Sequence, residues 1–199
     1  MNVLGINTTH EIGGVSLARN GNVLTQDFPA FGNHGQNLFP ALSELFRTSG
    51  ISLEEIDRLA CCTGPGSYTG IRICLTAAGL LNYAGNIPVM GITSLEMTAW
   101  EGTRHTKAEK YTPVIPAGGK HCFVATYTVR SKKISCLQAP QRVECRDINR
   151  HIPENACVIS CAENIPSLSP AVTVRWDASS FSAAAAAFTM PAAAKGAAM

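Results

Sequence analysis

The sequence predicts an α/β protein of two lobes, residues 1–100 and 101–199, each with a mixed sheet and flanking helices. Three observations carry this. The first 28 residues read as an antiparallel meander. From Ser52 to Glu96, short apolar runs suited to strands alternate with helix-like runs, the pattern of βαβ units. Beyond a polar stretch at 101–110 the theme recurs in weaker form. The chain has 199 residues, 46% of them hydrophobic, which is enough to bury a core in one domain or two small lobes.

In the meander, a strand at 3–6 is followed by a turn at 7–11 and a strand at 14–18. Asn20-Gly21 is a strong two-residue hairpin signal, and Val23-Leu24 continues beyond it. Such an opening is common in actin-like and ribonuclease H-like α/β folds, whose first turn often carries an Asp facing phosphates or a metal. A loop at 31–35 leads into a helix at about 37–48. There Leu38, Leu42, Leu45 and Phe46 share one face, and Phe39 adds a second apolar flank. Pro40 fits only a first turn, which places the start near Asn37. The apolar face is wide, and it either fills the chain's own core or meets a partner helix.

Ser52-Leu53-Glu54-Glu55 and Thr93-Ser94-Leu95-Glu96 are capping boxes. The first opens a short helix through Asp57. Between the two boxes lie a strand at 59–62, a glycine-rich loop, a helix at about 71–84 and a strand at 88–92. Ile71, Leu75, Ala78 and Leu81 are the predicted buried stripe of that helix. The polar stretch after Trp100 reads as the connection between lobes. The second half then gives a strand at 111–115, a turn at 116–120, and strands at 122–129 and 134–137. A short helix at 143–152, strands at 157–159 and 172–176, and a final helix capped by Asp177 or Ser179 complete it.

Composition narrows the function. A net charge of +2 with 15% charged residues gives no footprint for independent nucleic-acid binding, so contact with RNA is expected to be weak or shared with a partner. The N-terminus lacks a basic and apolar leader, and no run approaches the roughly 20 apolar residues of a membrane helix. A cytoplasmic location without membrane contact is expected. Of eight cysteines, Cys61, Cys62, Cys74, Cys122, Cys136 and Cys157 sit in apolar runs and read as reduced core thiols. Cys145, Cys157, Cys161 and His151 fit no zinc spacing.

Thr63-Gly64-Pro65-Gly66-Ser67-Tyr68-Thr69-Gly70 joins an apolar strand to a helix. Ser67 and Thr69 stand at or near the N-cap, where amides lack helical partners. Gly64, Gly66, Ser67, Thr69 and Gly70 can therefore cradle an anion on the helix dipole, or form a tight connection with no ligand. Arg72, in the first helical turn, can meet a phosphate or partner carboxylate bidentately, or remain a solvated residue with local pairing. Lys120, beside two glycines, is a weaker candidate. Trp100 and Trp176 read as packing residues.

The motif Gly64-Pro65-Gly66-Ser67-Tyr68-Thr69-Gly70-Ile71-Arg72-Ile73 closely resembles the GPGSFTGLRIG signature of the TsaB (YeaZ) family, a glycoprotease-like branch of the actin-like ATPase superfamily. Asn7-Thr8-Thr9, His34-Gly35-Gln36-Asn37-Leu38-Phe39-Pro40 and Pro88-Val89-Met90-Gly91-Ile92-Thr93-Ser94-Leu95-Glu96 resemble further family segments, in order, over residues 1–100. The resemblance beyond residue 100 is confined to 113–120.

The resemblance implies an actin-like or ribonuclease H-like fold and a non-catalytic partner of a TsaD-like subunit, joined by a TsaE-like ATPase. Together these attach threonylcarbamoyl to the adenosine beside the anticodon of tRNAs reading codons that start with A. It implies a partner or homodimer interface on the two helices of the first lobe, at Leu38, Leu42, Leu45, Phe46, Ile71, Leu75 and Ala78, with tRNA reached only through the complex. No cofactor is expected on the isolated chain, ATP or ADP belonging at the interface with the catalytic partner. Asn7 replaces the family's usual Asp, 116–120 replaces an Asp-Ala-Arg turn, and the five histidines contain no pair four apart. These departures speak against independent ATP hydrolysis, proteolysis or carbamoyl transfer. The alternative is an actin-like-fold ATPase or sugar kinase with phosphates on the glycine loop.

Overall fold

The computed structural model describes residues 1–30, 34–130, 133–161 and 172–173. β1 (Asn2–Asn7), β2 (Ile12–Arg19) and β3 (Asn22–Pro29) form the meander. The turn between β2 and β3 has Asn20 and Gly21 at φ of 51° and 83°, the mirror-image turn that matches strand twist. β4 (Arg58–Cys62) and β5 (Val89–Ile92) add parallel to β1, so the sheet order is β3-β2-β1-β4-β5.

The second sheet repeats this plan. β6 (Lys110–Pro116), β7 (His121–Arg130) and β8 (Lys133–Glu144) are antiparallel, and β9 (Ala156–Ser160) and β10 (Val172–Thr173) continue in parallel. The order is β10-β9-β6-β7-β8, so the second meander mirrors the first. Residues 174–176 of the expected last strand, Trp176 and the expected final helix lie outside the described residues.

α1 (His34–Ser49) packs on β2 and β3, and α2 (Tyr68–Gly85) on β4 and β1, where the two helices touch. α1 starts three residues before the predicted point, which leaves Pro40 in the second turn. Pro40 is exposed, and the buried contacts of Leu38, Leu42 and Leu45 outweigh its missing amide bond.

The predicted stripe of α2 is rotated. Gly70, Cys74, Ala77 and Ala78 are buried, Ile71 and Leu81 are partly buried, and Leu75 is exposed. The small residues form the inner face because they let the helix approach the sheet closely, and the bulkier side chains point outward.

α3 (Ser94–His105) extends through half of the expected polar connection. Glu101 is buried there and takes Arg104 and His105 as partners at 3.2 Å each, so polar residues stabilise its last turn. Met97 belongs to the first lobe's core, and Leu95 and Ala99 to the second's, which makes α3 the joint between them. The first capping box opens only a single 3₁₀ turn, Leu53–Glu55, with the Ser52 amide donating to Glu55 Oε2 at 2.9 Å.

The helix expected at 143–152 is also different. Val143 and Glu144 stay in register with Cys122 and His121, so β8 continues to Glu144 and a 3₁₀ segment follows at Cys145–His151. Cys145 and Ile148 bury themselves at helical spacing, which produced the misleading pattern. All eight cysteines are free. Cys61, Cys62, Cys74 and Cys122 are buried as expected, whereas Cys157 is half-buried and Cys136 lies exposed on the outermost strand β8.

Candidate functional site

The glycine loop leaves the end of β4 and is tied first to its neighbours. The Thr63 amide donates to the Ile92 carbonyl at 3.0 Å, and the Ser94 amide to the Gly64 carbonyl at 2.7 Å. Ser67 is the N-cap of α2. Its hydroxyl accepts from the Gly70 amide at 3.2 Å, and its carbonyl from the Ile71 amide at 2.8 Å.

The loop then closes on the first turn of the chain. The Ser67 amide donates to the Thr9 carbonyl at 2.8 Å, and the Thr8 hydroxyl donates to the Gly70 carbonyl at 2.6 Å. A β-carbon on Gly66 would stand 2.5 Å from the Thr9 carbonyl oxygen, and one on Gly70 would overlap that of Thr8. Gly64 has φ of 88°, and a β-carbon there would meet Ile71 Cδ1 at 2.6 Å. These glycines bring two backbones together: Gly64 and Gly70 are buried, whereas Gly66 and Thr69 remain exposed.

Beneath this contact lies a buried polar chain. Asn7 Oδ1 accepts from the Thr9 amide at 3.0 Å and the Thr9 hydroxyl at 2.8 Å. Thr9 Oγ1 is 3.3 Å from Cys62 Sγ, which is 3.2 Å from Ser94 Oγ. Burial pushes the Cys62 thiol up, so it stays protonated and does not act as a nucleophile.

Of the amides at the start of α2, those of Ser67, Gly70 and Ile71 are engaged by the chain's own oxygens, and a neutral amide occupies position 7. Thr69 lies inside the first turn of α2. Arg72 is exposed, its guanidinium carbon 5.6 Å from the centre of the Tyr68 ring, a cation–π contact on the outer face. Lys120 is exposed and Trp100 partly buried. Among the described residues no group of three His, Cys, Asp or Glu is placed to hold a metal ion.

The proposed interface residues separate into two sets. Leu38, Leu42, Leu45 and Ala78 are buried in the first lobe's own core, with Phe46 packed against it, so this apolar face is absorbed internally. Ile71 is partly buried and Leu75 exposed. The outer face of α2 instead presents Tyr83 (90% exposed), Tyr68 (74%), Leu80 (54%) and Leu75 (45%), with Phe39 of α1 also exposed. Tyr68, Leu80 and Tyr83 were missed by the sequence reading. The signal for them was the spacing of Gly70, Cys74, Ala77 and Ala78, which marks the sheet-facing side and leaves the opposite side bulky and bare.

Comparison with known proteins places this geometry. The family model described as TsaD, tRNA N6-adenosine threonylcarbamoyltransferase, matches residues 29–195. A tRNA threonylcarbamoyladenosine biosynthesis protein TsaB from Escherichia coli (strain K12) is 32% identical over 127 residues, covering 64% of this chain and 55% of the relative. The protein of the same name from Bacillus subtilis (strain 168) is 27% identical over 148 residues, covering 74% and 64%. The matched region thus spans between about half and two thirds of the length of these relatives. The solved structure of YeaZ from Pseudomonas aeruginosa superposes with a TM-score of 0.80 at 21% identity, over 94% of this chain and 92% of that one. The likeness supports an actin-like or ribonuclease H-like fold of two mixed sheets with flanking helices.

Proposed function

The chain belongs to the tRNA N6-adenosine threonylcarbamoyltransferase (TsaD) family, in its TsaB branch, and we propose that it serves there as a non-catalytic partner subunit. In this reading it supports a TsaD-like catalytic subunit that attaches threonylcarbamoyl to the adenosine beside the anticodon of tRNAs reading codons that start with A. The observation that carries the reading is the bare face of α2: two tyrosines and two leucines stand exposed on one helix, next to a loop tied by hydrogen bonds to Thr8, Thr9 and Ser94. A loop tied down in this way serves as a rigid corner that launches α2 rather than as a reaction centre. A TsaE-like ATPase joins the assembly, and a second copy of the chain competes for the same face. tRNA is held by the assembly. ATP or ADP, where present, sits at the interface with the catalytic partner.

The test is co-expression with the TsaD-like partner. Leu75→Glu and Tyr83→Glu are expected to abolish co-purification and tRNA modification while leaving the chain folded. Unchanged modification by both variants would overturn the reading. Calorimetric titration of the isolated chain with ATP and Mg²⁺ is expected to show no tight binding. Tight, metal-dependent binding would favour an ATPase or sugar kinase instead.

A further inference from the structure

We infer that the end of the second sheet where α3 stops and the β7–β8 hairpin turns is a contact for the phosphate backbone of tRNA. This rests on the reading of the chain as a subunit of a tRNA-modifying complex and adds a surface to it. The net charge of +2 conceals an uneven distribution. Residues 1–100 carry four Lys and Arg against seven Asp and Glu, whereas residues 101–150 carry ten against four. Exposed large apolar side chains are divided the opposite way: among the described residues nine lie at positions 1–89 and one, Leu137, in the second lobe. The first lobe therefore has the surface of a protein-binding element, and the second that of a polyanion-binding one.

The fold places five of these ten cations at one end of the sheet, while Lys120, Arg142, Arg146 and Arg150 lie toward the other. Lys110 opens β6, and Arg130 and Lys133 pair at the turn of the β7–β8 hairpin. Because Tyr111 pairs with Tyr127, that turn lies at the starting end of β6. α3 stops at the same end with Arg104 and His105, and Lys107 follows in the connection to β6. The Tyr111 hydroxyl fixes this connection, accepting from the Ala108 amide and donating to the Thr106 carbonyl, both at 3.0 Å.

Glu101 pairs with Arg104 and Glu109 with Arg130. Lys107 and Lys133 are exposed and Lys110 half-buried, and none of the three has an ion-pair partner among the described residues. A protein partner would need buried apolar anchors, and this end offers none among the exposed large hydrophobics. Phosphates need only cations at intervals, and such contacts orient the nucleic acid without reading its sequence.

The test titrates labelled tRNA with the assembled complex of the full chain and its TsaD-like partner over a salt series, comparing wild type with Lys107→Gln/Lys110→Gln/Lys133→Gln. The expected result is an affinity about tenfold or more weaker, with the slope of log affinity on log salt shallower by about 2 to 3, at ~0.9 for each phosphate that is no longer neutralised. Complex assembly and the thermal midpoint stay as in wild type. Unchanged affinity and slope would overturn the inference, and so would loss of the protein partner, which would assign the patch to an acidic protein surface. If Leu75→Glu and Tyr83→Glu complexes modify tRNA normally, the subunit reading itself falls and this inference with it.

Discussion

The Thr8 hydroxyl donates to the Gly70 carbonyl at 2.6 Å across 62 residues of sequence, and the Thr8 carbonyl lies where a β-carbon on residue 70 would stand. Gly70→Ala must push β1 and α2 apart, at a cost of about 1–3 kcal/mol or more. Gly79, on the same helix, has open space around its Cα. Gly79→Ala is expected to stabilise by about 0.8–1 kcal/mol through helix propensity alone. Urea midpoints of the two variants moving in opposite directions would establish that close approach, and not helix composition, requires Gly70.

Leu42 and Leu75 were both expected at a partner surface, yet Leu42 is 4% exposed and Leu75 45%. Leu42→Glu places a carboxylate in the first core and is expected to cost about 3 kcal/mol or more. Leu75→Glu is expected to stay within about 0.5 kcal/mol of wild type in the isolated chain. Chemical denaturation separates them. If Leu75→Glu unfolds the chain, the outer face of α2 is not a free surface and its loss of partner binding carries no information.

Thr93 holds α3 at the joint between lobes. Its hydroxyl accepts from the Glu96 amide at 3.1 Å, and Glu96 Oε2 accepts from the Thr93 amide at 2.8 Å. Thr93→Ala is expected to cost about 1 kcal/mol, the usual worth of a cap. Because α3 contributes side chains to both cores, the loss should speed amide exchange in α3 and lower the midpoints of both lobes together. A drop confined to one lobe would show that α3 does not couple them.

What the sequence revealed depended on range. The meander was legible because the Asn20-Gly21 turn acts locally, and the box at 93–96 because its partners are three residues apart. The strand–loop–helix at 63–70 and the Ser67 cap were legible for the same reason. How the loop is held was not, since Thr8 and Thr9, about 60 residues upstream, bind the Gly70 carbonyl and the Ser67 amide, and no local pattern announces that contact. The face of α2 was misread because apolar spacing was weighed without size. Ala and Gly marked the tight approach, and leucine followed the side with room. The apolar face of α1 was legible, but its destination in the chain's own core required the sheet beside it.

His10, in the turn after β1, gives the last test through pH. Burial pushes its imidazole down from the ordinary 6.5 to about 4. Between these values the unfolded chain binds a proton that the folded chain does not, so stability rises with pH across this window. Stability should be complete above about pH 6.5 and fall as pH drops toward 4, by at most about 3 kcal/mol from this group. Carboxylates also titrate at the acid end, so the comparison must be with His10→Gln, which keeps a polar side chain and removes the titration. The denaturant midpoint of the variant is expected to decline less between pH 7 and pH 4 than that of wild type. Parallel curves, or an imidazole resonance titrating near 6.5 in the folded protein, would mean that the turn leaves His10 open to water.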